Sequence, residues 1–105
     1  MEESTGIEYT LIFSDVSLKD LAFHDKVGNR ATIKRIDRIL KELETTPFVG
    51  IGNPHPLKYN YTSLWSRHLN EKDVISYYVN ETKKIVQIYS ARYHYLTVSK
   101  KMCKR

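Results

Sequence analysis

Hydrophobic and polar positions along the chain follow two periods, and each marks a different kind of element. Residues 8–13 read Glu-Tyr-Thr-Leu-Ile-Phe, a short run of aromatic and branched side chains that predicts a strand. Leu18, Leu21 and Ala22 then fall at i, i+3 and i+4, one face of a short helix that Ser14 or Ser17 can cap. Gly28 is placed to end that helix in the left-handed conformation, and Asn29 to cap the next. Over residues 30–44 the apolar set is Ile33, Ile36, Ile39, Leu40 and Leu43, a narrow stripe at helical period among mostly charged neighbours. Two consecutive helices therefore form a hairpin.

Residues 45–56 interrupt this. All three prolines (Pro47, Pro54, Pro56) and two glycines (Gly50, Gly52) lie there, so repetitive structure cannot persist and a loop is predicted. Loops on a rigid scaffold often carry function. Three strand-like runs follow at residues 64–69, 74–79 and 85–93, joined by short polar gaps that suit hairpins. The order is strand, helical hairpin, loop, then an antiparallel three-strand meander. That is an α+β fold with its helices on one face of the sheet. Residues 1–6 read as a frayed end, and residues 96–105 as a basic extension closing on Lys100, Lys101, Lys104 and Arg105.

Size and charge narrow the class. A chain of 105 residues, 41% hydrophobic, can bury one modest core, so residues 1–95 are read as a single domain. A net charge of +5 favours a polyanionic partner without naming it: RNA, DNA and an acidic protein fit equally. Cys103 is the only cysteine, which excludes an internal disulfide framework. The acidic opening Met1-Glu2-Glu3-Ser4 is unlike a secretory signal and no apolar run reaches membrane length, so a soluble, cytoplasmic protein is expected.

No metal-ligand spacing, phosphate-cradling glycine loop or nucleophile elbow is present, so neither a metal nor another cofactor is expected. What remains is imidazole, guanidinium and phenol concentrated in the C-terminal half. Arg92 and His94 lie two apart on the last predicted strand and share a face if it stays regular. Arg67 lies on the first meander strand. Metal-free RNA cleavage needs a base for the 2′-hydroxyl, an acid for the departing 5′-oxygen, and cations for the developing charge. Histidine can fill either proton-transfer role. Taken singly, each residue has a blander reading: His24 as a solvated surface side chain, Arg67 or Arg92 as a structural ion pair, the tyrosines as half-buried sheet faces. Period and composition stop at a basic α+β domain with a candidate polyanion site.

Longer motifs go further. Thr46-Pro47-Phe48-Val49-Gly50-Ile51-Gly52-Asn53-Pro54-His55-Pro56-Leu57-Lys58 resembles the signature loop of the YoeB/Txe toxins, Thr-Pro-Phe-x-Gly-x-Gly-x-Pro-Glu-Pro-Leu-Lys. Leu64-Trp65-Ser66-Arg67 is similar to that family's aromatic-Trp-Ser-Arg-Arg strand, and Ala91-Arg92-Tyr93-His94-Tyr95 to its Cys-Arg-Tyr-His-Tyr ending. The resemblance implies a RelE/ParE-type fold and a ribosome-dependent messenger-RNA endoribonuclease, acting in the A site through a 2′,3′-cyclic phosphate. It implies as partners the ribosome, mRNA and a YefM/Phd-like antitoxin, and it is compatible with a homodimer.

Carried over residue by residue, His94 takes the general acid's place and Tyr95 orients the phosphate, while Arg67 keeps the first strand arginine. Three positions depart. The loop glutamate, the family's proposed base, is His55; the second strand arginine is His68; the arginine opening the next strand is Val74. The expected catalytic set is thus His55, His94, Tyr95 and Arg67, with Lys58, His68 and Arg92 contacting RNA phosphate. The alternative is a binding module that keeps antitoxin or ribosome contacts without cleavage.

Overall fold

The computed structural model describes residues 8–56 and 64–92. The expectations for Lys58, His94, Tyr95 and the basic extension lie outside the described residues. Among these residues the chain forms β1 (Thr10–Phe13), α1 (Asp15–Val27), α2 (Arg30–Leu43), β2 (His55–Pro56), β3 (Leu64–His68), β4 (Val74–Asn80) and β5 (Ile85–Ser90). The strands make one sheet in the order β1-β5-β4-β3-β2. β2 to β5 pair antiparallel, whereas β1 runs parallel to β5 with Thr10 opposite Ile85. This is the expected α+β meander, with one strand added: β2, two residues inside the predicted loop. Pro56 is compatible with a strand there because β2 is an edge, where a missing N–H costs no ladder bond.

α2 forms as its stripe predicts. Asn29 accepts from the Thr32 N–H at 3.0 Å, and Ile36, Ile39 and Leu43 are buried against Ile75, Tyr77, Val79, Val86 and Ile88 of the sheet. α1 is capped by Ser14, which accepts from the Ser17 N–H at 3.0 Å, and ends at Gly28 with φ 74. Its buried face differs from expectation. Leu21 packs against the core as expected, but Leu18 is 52% exposed and Ala22 is exposed, while Ser17, Asp20 and His24 are buried. The helical period is right and the phase is wrong, because this helix lies over the end of β5 and meets backbone polar groups that need partners.

That contact also decides where β5 stops. The Ala91 N–H donates to Asp20 Oδ2 at 2.8 Å, and the Ala91 carbonyl accepts from His24 Nε2 at 2.7 Å. With both groups taken by α1, Ala91 leaves the ladder, so the strand predicted to reach residue 93 ends at Ser90. His24, expected on the surface, is 4% exposed and structural. β1 is likewise shorter than its pattern. The Tyr9 N–H goes to the Glu44 carbonyl at 2.7 Å, which draws the chain off the sheet and tucks the Tyr9 ring into the core.

Candidate functional site

Alternation along β3 sorts its side chains between two surfaces. Trp65 and Arg67 face the helices; Leu64, Ser66 and His68 face the other way. Arg67 is fully buried and holds the loop that precedes β2. Its Nη1 donates to Glu42 Oε1 at 2.6 Å and to the Ile51 carbonyl at 3.3 Å. Nη2 donates to the carbonyls of Thr46 and Val49 at 2.8 and 3.0 Å, and Nε to the Tyr77 hydroxyl at 3.1 Å. All five N–H donors are engaged by protein acceptors. The expectation that Arg67 belongs to the catalytic set is therefore corrected: it has no surface and no donor left for a substrate. It tethers the loop.

Other groups complete this anchor. The Tyr77 hydroxyl donates to the Pro47 carbonyl at 2.8 Å, the Ile51 N–H to Glu42 Oε1 at 3.0 Å, and the His68 N–H to the Gly52 carbonyl at 2.7 Å. The Phe48 ring packs 4.8 Å from that of Trp65. Gly52 has φ 84, and a β-carbon there would sit 2.9 Å from the His68 carbonyl oxygen, so the loop passes β3 at a distance only glycine allows. Burial pushes the Glu42 carboxyl up, but hydrogen bonds from Arg67, Ile51 and Arg38, with the Arg67 charge, outweigh it and hold the group below the usual range. Burial raises the Tyr77 phenol despite the opposing pull of Arg67.

The fixed loop delivers His55. It pairs with Ser66, on the sheet face away from the helices, and its ring centroid lies 5.7 Å from that of His68. The Asn53 carbonyl, which can only accept, receives the His55 Nδ1–H at 2.8 Å. In the neutral ring that bond leaves Nε2 as the lone-pair nitrogen, so His55 is oriented to accept a proton. Across the sheet the row runs His55, Ser66, Ser76, Ser90, each the register partner of the next. The hydroxyls of Ser76 and Ser90 are buried with no hydrogen-bond partner among the described residues. His68 also borders an open groove of about 490 Å³ that reaches the start of α2 at Asn29, Thr32 and Arg35.

Val74, at the place of the family's arginine, is 6% exposed and is the register partner of His68. The two positions where cations were expected thus stand side by side as an imidazole and an aliphatic group. Arg92 is half-buried, past the end of β5, with its guanidinium carbon 3.6 Å from the centre of the Phe23 ring on α1. The expected sharing of a strand face by Arg92 and His94 does not apply at Arg92, because the strand has already ended. The clasp of Asp20 and His24 on Ala91 was missed in the sequence. Its signal was there: Ser17, Asp20 and His24 are spaced as one helical face.

The geometry coincides with a known family. Residues 13–95 match the YoeB-like toxin of bacterial type II toxin–antitoxin systems. Toxin YoeB of Escherichia coli O6:H1 is 35% identical over 85 residues, covering 81% of this chain and 98% of that protein. The YoeB dimer structure from Staphylococcus aureus superposes with a TM-score of 0.72 at 28% identity, over 85% of this chain and 100% of that one. A YoeB–YefM complex from Staphylococcus aureus gives 0.69 at 29% identity, with the same coverage. No helix among the described residues is long and apolar enough to cross a membrane. A sheet backed by a helical hairpin, a loop tethered by a buried arginine and this match over most of the chain lead to one conclusion: the protein belongs to the YoeB-like toxins of bacterial type II toxin–antitoxin systems.

Proposed function

We propose that this toxin is a ribosome-dependent endoribonuclease that cuts messenger RNA in the A site, with His55 as its base. The observation that carries the reading is the His55 Nδ1–H bond to the Asn53 carbonyl, which leaves Nε2 as the lone-pair nitrogen of the neutral ring. In the proposed reaction His55 Nε2 takes the proton of a ribose 2′-hydroxyl. The 2′-oxygen attacks the adjacent phosphorus, the P–O5′ bond breaks, and His94 gives its proton to the departing 5′-oxygen. The products are a 2′,3′-cyclic phosphate and a 5′-hydroxyl, and no metal takes part. Tyr95 orients the phosphate; Lys58, His68 and Arg92 supply hydrogen bonds and positive charge. Arg67 acts through the loop, as a positioning residue. The ribosome contributes by presenting the message in reactive geometry.

Programmed ribosomes incubated with the toxin, followed by mapping of message ends, test this. Discrete cuts within the A-site codon are expected, with a loss of about a hundred- to ten-thousandfold in His55→Ala. The pH–rate profile should be bell-shaped, one limb for the base and one for the acid. Full activity in His55→Ala sinks the assignment.

A second reading has its own observation. Arg67 is fully engaged and Val74 is apolar, so the strand positions that carry arginines in the family offer the phosphate no guanidinium here. Loss of one such stabiliser costs about a hundred- to a thousandfold in rate. On that reading the chain binds without cutting, and growth arrest with intact messages would favour it. By likeness to the Staphylococcus aureus assemblies, the proposed partners are a YefM-like antitoxin and a second toxin copy.

A further inference from the structure

We infer that the open groove beside His68 seats the message nucleotide adjoining the scissile phosphate, with the Arg35 guanidinium on that nucleotide's own phosphate. The inference rests on the nuclease reading above, which brings RNA to His55, and adds a second position for the same strand. The groove has a volume of about 490 Å³ and lies between the end of β3 and the first turns of α2. That volume falls within the roughly 300–1,000 Å³ of ordinary ligand sites. His68 belongs to both places: its ring lies 5.7 Å from that of His55, and it also lines the groove. A strand held at His55 therefore has a path by which to continue.

The walls are fixed before anything enters. The hydroxyl of Thr32, a residue 3% exposed, accepts from Asn70 Nδ2 at 3.1 Å, which ties the β3–β4 turn to α2. Asn70 Oδ1 in turn takes the N–H groups of Lys72 and Asp73 at 2.9 and 2.7 Å. A ligand meeting such a wall loses little free energy to ordering it. Charge then selects the ligand. Arg35 is exposed and makes no ion pair among the described residues, whereas Arg38, further along α2, is held by Glu42 at 3.3 Å. A free guanidinium offers a phosphate two parallel N–H donors. Ala31, in the same lining, is small enough to leave the groove open, and Glu71 supplies an acceptor for a ribose hydroxyl or a base amine. An acidic peptide would meet Glu71 as a repulsion, and His55 has no role towards it. RNA has a use for both.

The test titrates the full chain against a short single-stranded RNA, made uncuttable by 2′-fluoro substitution, and reads fluorescence anisotropy over a range of salt. Arg35→Gln should weaken binding roughly three- to tenfold and lower the slope of log K against log salt by about 0.7, the share of one single-strand phosphate. Lys34→Gln is the control. It removes the same charge from a neighbour outside the groove, and should do less on both measures. Ala31→Phe, which fills the groove at unchanged charge, should weaken binding and leave the slope intact. On programmed ribosomes Arg35→Gln should raise the toxin concentration for half-maximal cleavage and keep the maximal rate within about twofold. Equal losses in Arg35→Gln and Lys34→Gln would mean attraction without a seat, and overturn the inference. So would a wild-type chain with no measurable RNA affinity at low salt, or an Ala31→Phe variant that binds as well as wild type. If Arg35→Gln weakens a glutamate-rich peptide and spares RNA, the groove belongs to a protein ligand and the inference falls. RNA binding alongside intact messages on the ribosome defeats the nuclease reading alone, and the anisotropy series still judges the seat.

Discussion

Two irregular segments carry the candidate chemistry, and they are secured in opposite ways. The loop before β2 depends most on one buried side chain: Arg67 makes five hydrogen bonds, three of them to loop carbonyls, while Tyr77, Glu42 and the His68 N–H add one loop contact each. The exit from β5 is held by four residues of α1 and its cap (Ser14, Asp20, Phe23 and His24), each making one or two contacts. The first arrangement concentrates risk and the second spreads it. A loop with one dominant anchor should lose most of its hold at once; a distributed clasp should loosen by degrees.

The most severe way to break the comparison is Arg67→Met. It leaves the carbonyls of Thr46, Val49 and Ile51 without their donor and Glu42 without its main cation, and should cost about 3–5 kcal/mol in thermal or denaturant unfolding. Arg67→Lys should recover little, because an ammonium has three donors on a flexible stem where the site uses five in a fixed fork. Gly52→Ala ranks next, at about 1–3 kcal/mol, from a positive φ combined with backbone contact against β3. Ser14→Ala removes a cap and the bond to Tyr89, and should cost about 1–2 kcal/mol. Tyr77→Phe should cost about 1–2 kcal/mol, because it removes the partner of both Arg67 Nε and the Pro47 carbonyl. If Ser14→Ala proved as damaging as Arg67→Met, the contrast between the two anchors would collapse.

Acid sharpens the same contrast. A carboxyl held below its usual range in the folded state adds stability above that range, and the contribution disappears as pH falls through the folded value. Glu42 serves the loop anchor and an i,i+4 pair with Arg38, and makes no contact with the β5 exit among its described bonds. Amide exchange at Ile51, corrected for intrinsic exchange, should therefore quicken as pH drops below about 4.5, the ordinary value for this group. Glu42→Gln should flatten that acid limb.

The fold was largely legible because most elements bury apolar side chains at a clean period. α2 shows this, from the Asn29 cap to Leu43. Where a buried face serves backbone rather than core, the pattern misleads. Leu18 and Ala22 drew the predicted face of α1 one position away from Ser17, Asp20 and His24. β2 was hidden by proline, a residue that argues against a strand everywhere except at an edge. In the site, motif resemblance pointed to His55 and Arg67 but could not separate their roles. Alternation could have done so, since Arg67 shares its face with Trp65 and Leu69 while Ser66 and His68 take the other.

The parallel pairing of β1 with β5 has a consequence for assembly. Thr10 to Phe13 find their partners at residues 85–88, seventy-five positions downstream, so the earliest strand stays unmatched until nearly the whole domain has been synthesised. Closing so long a chain segment makes this a late and slow step. The β5 exit, gripped by the helix that begins right after that strand, takes shape in the same step. Until that strand pairs, the sheet that carries the candidate site is incomplete.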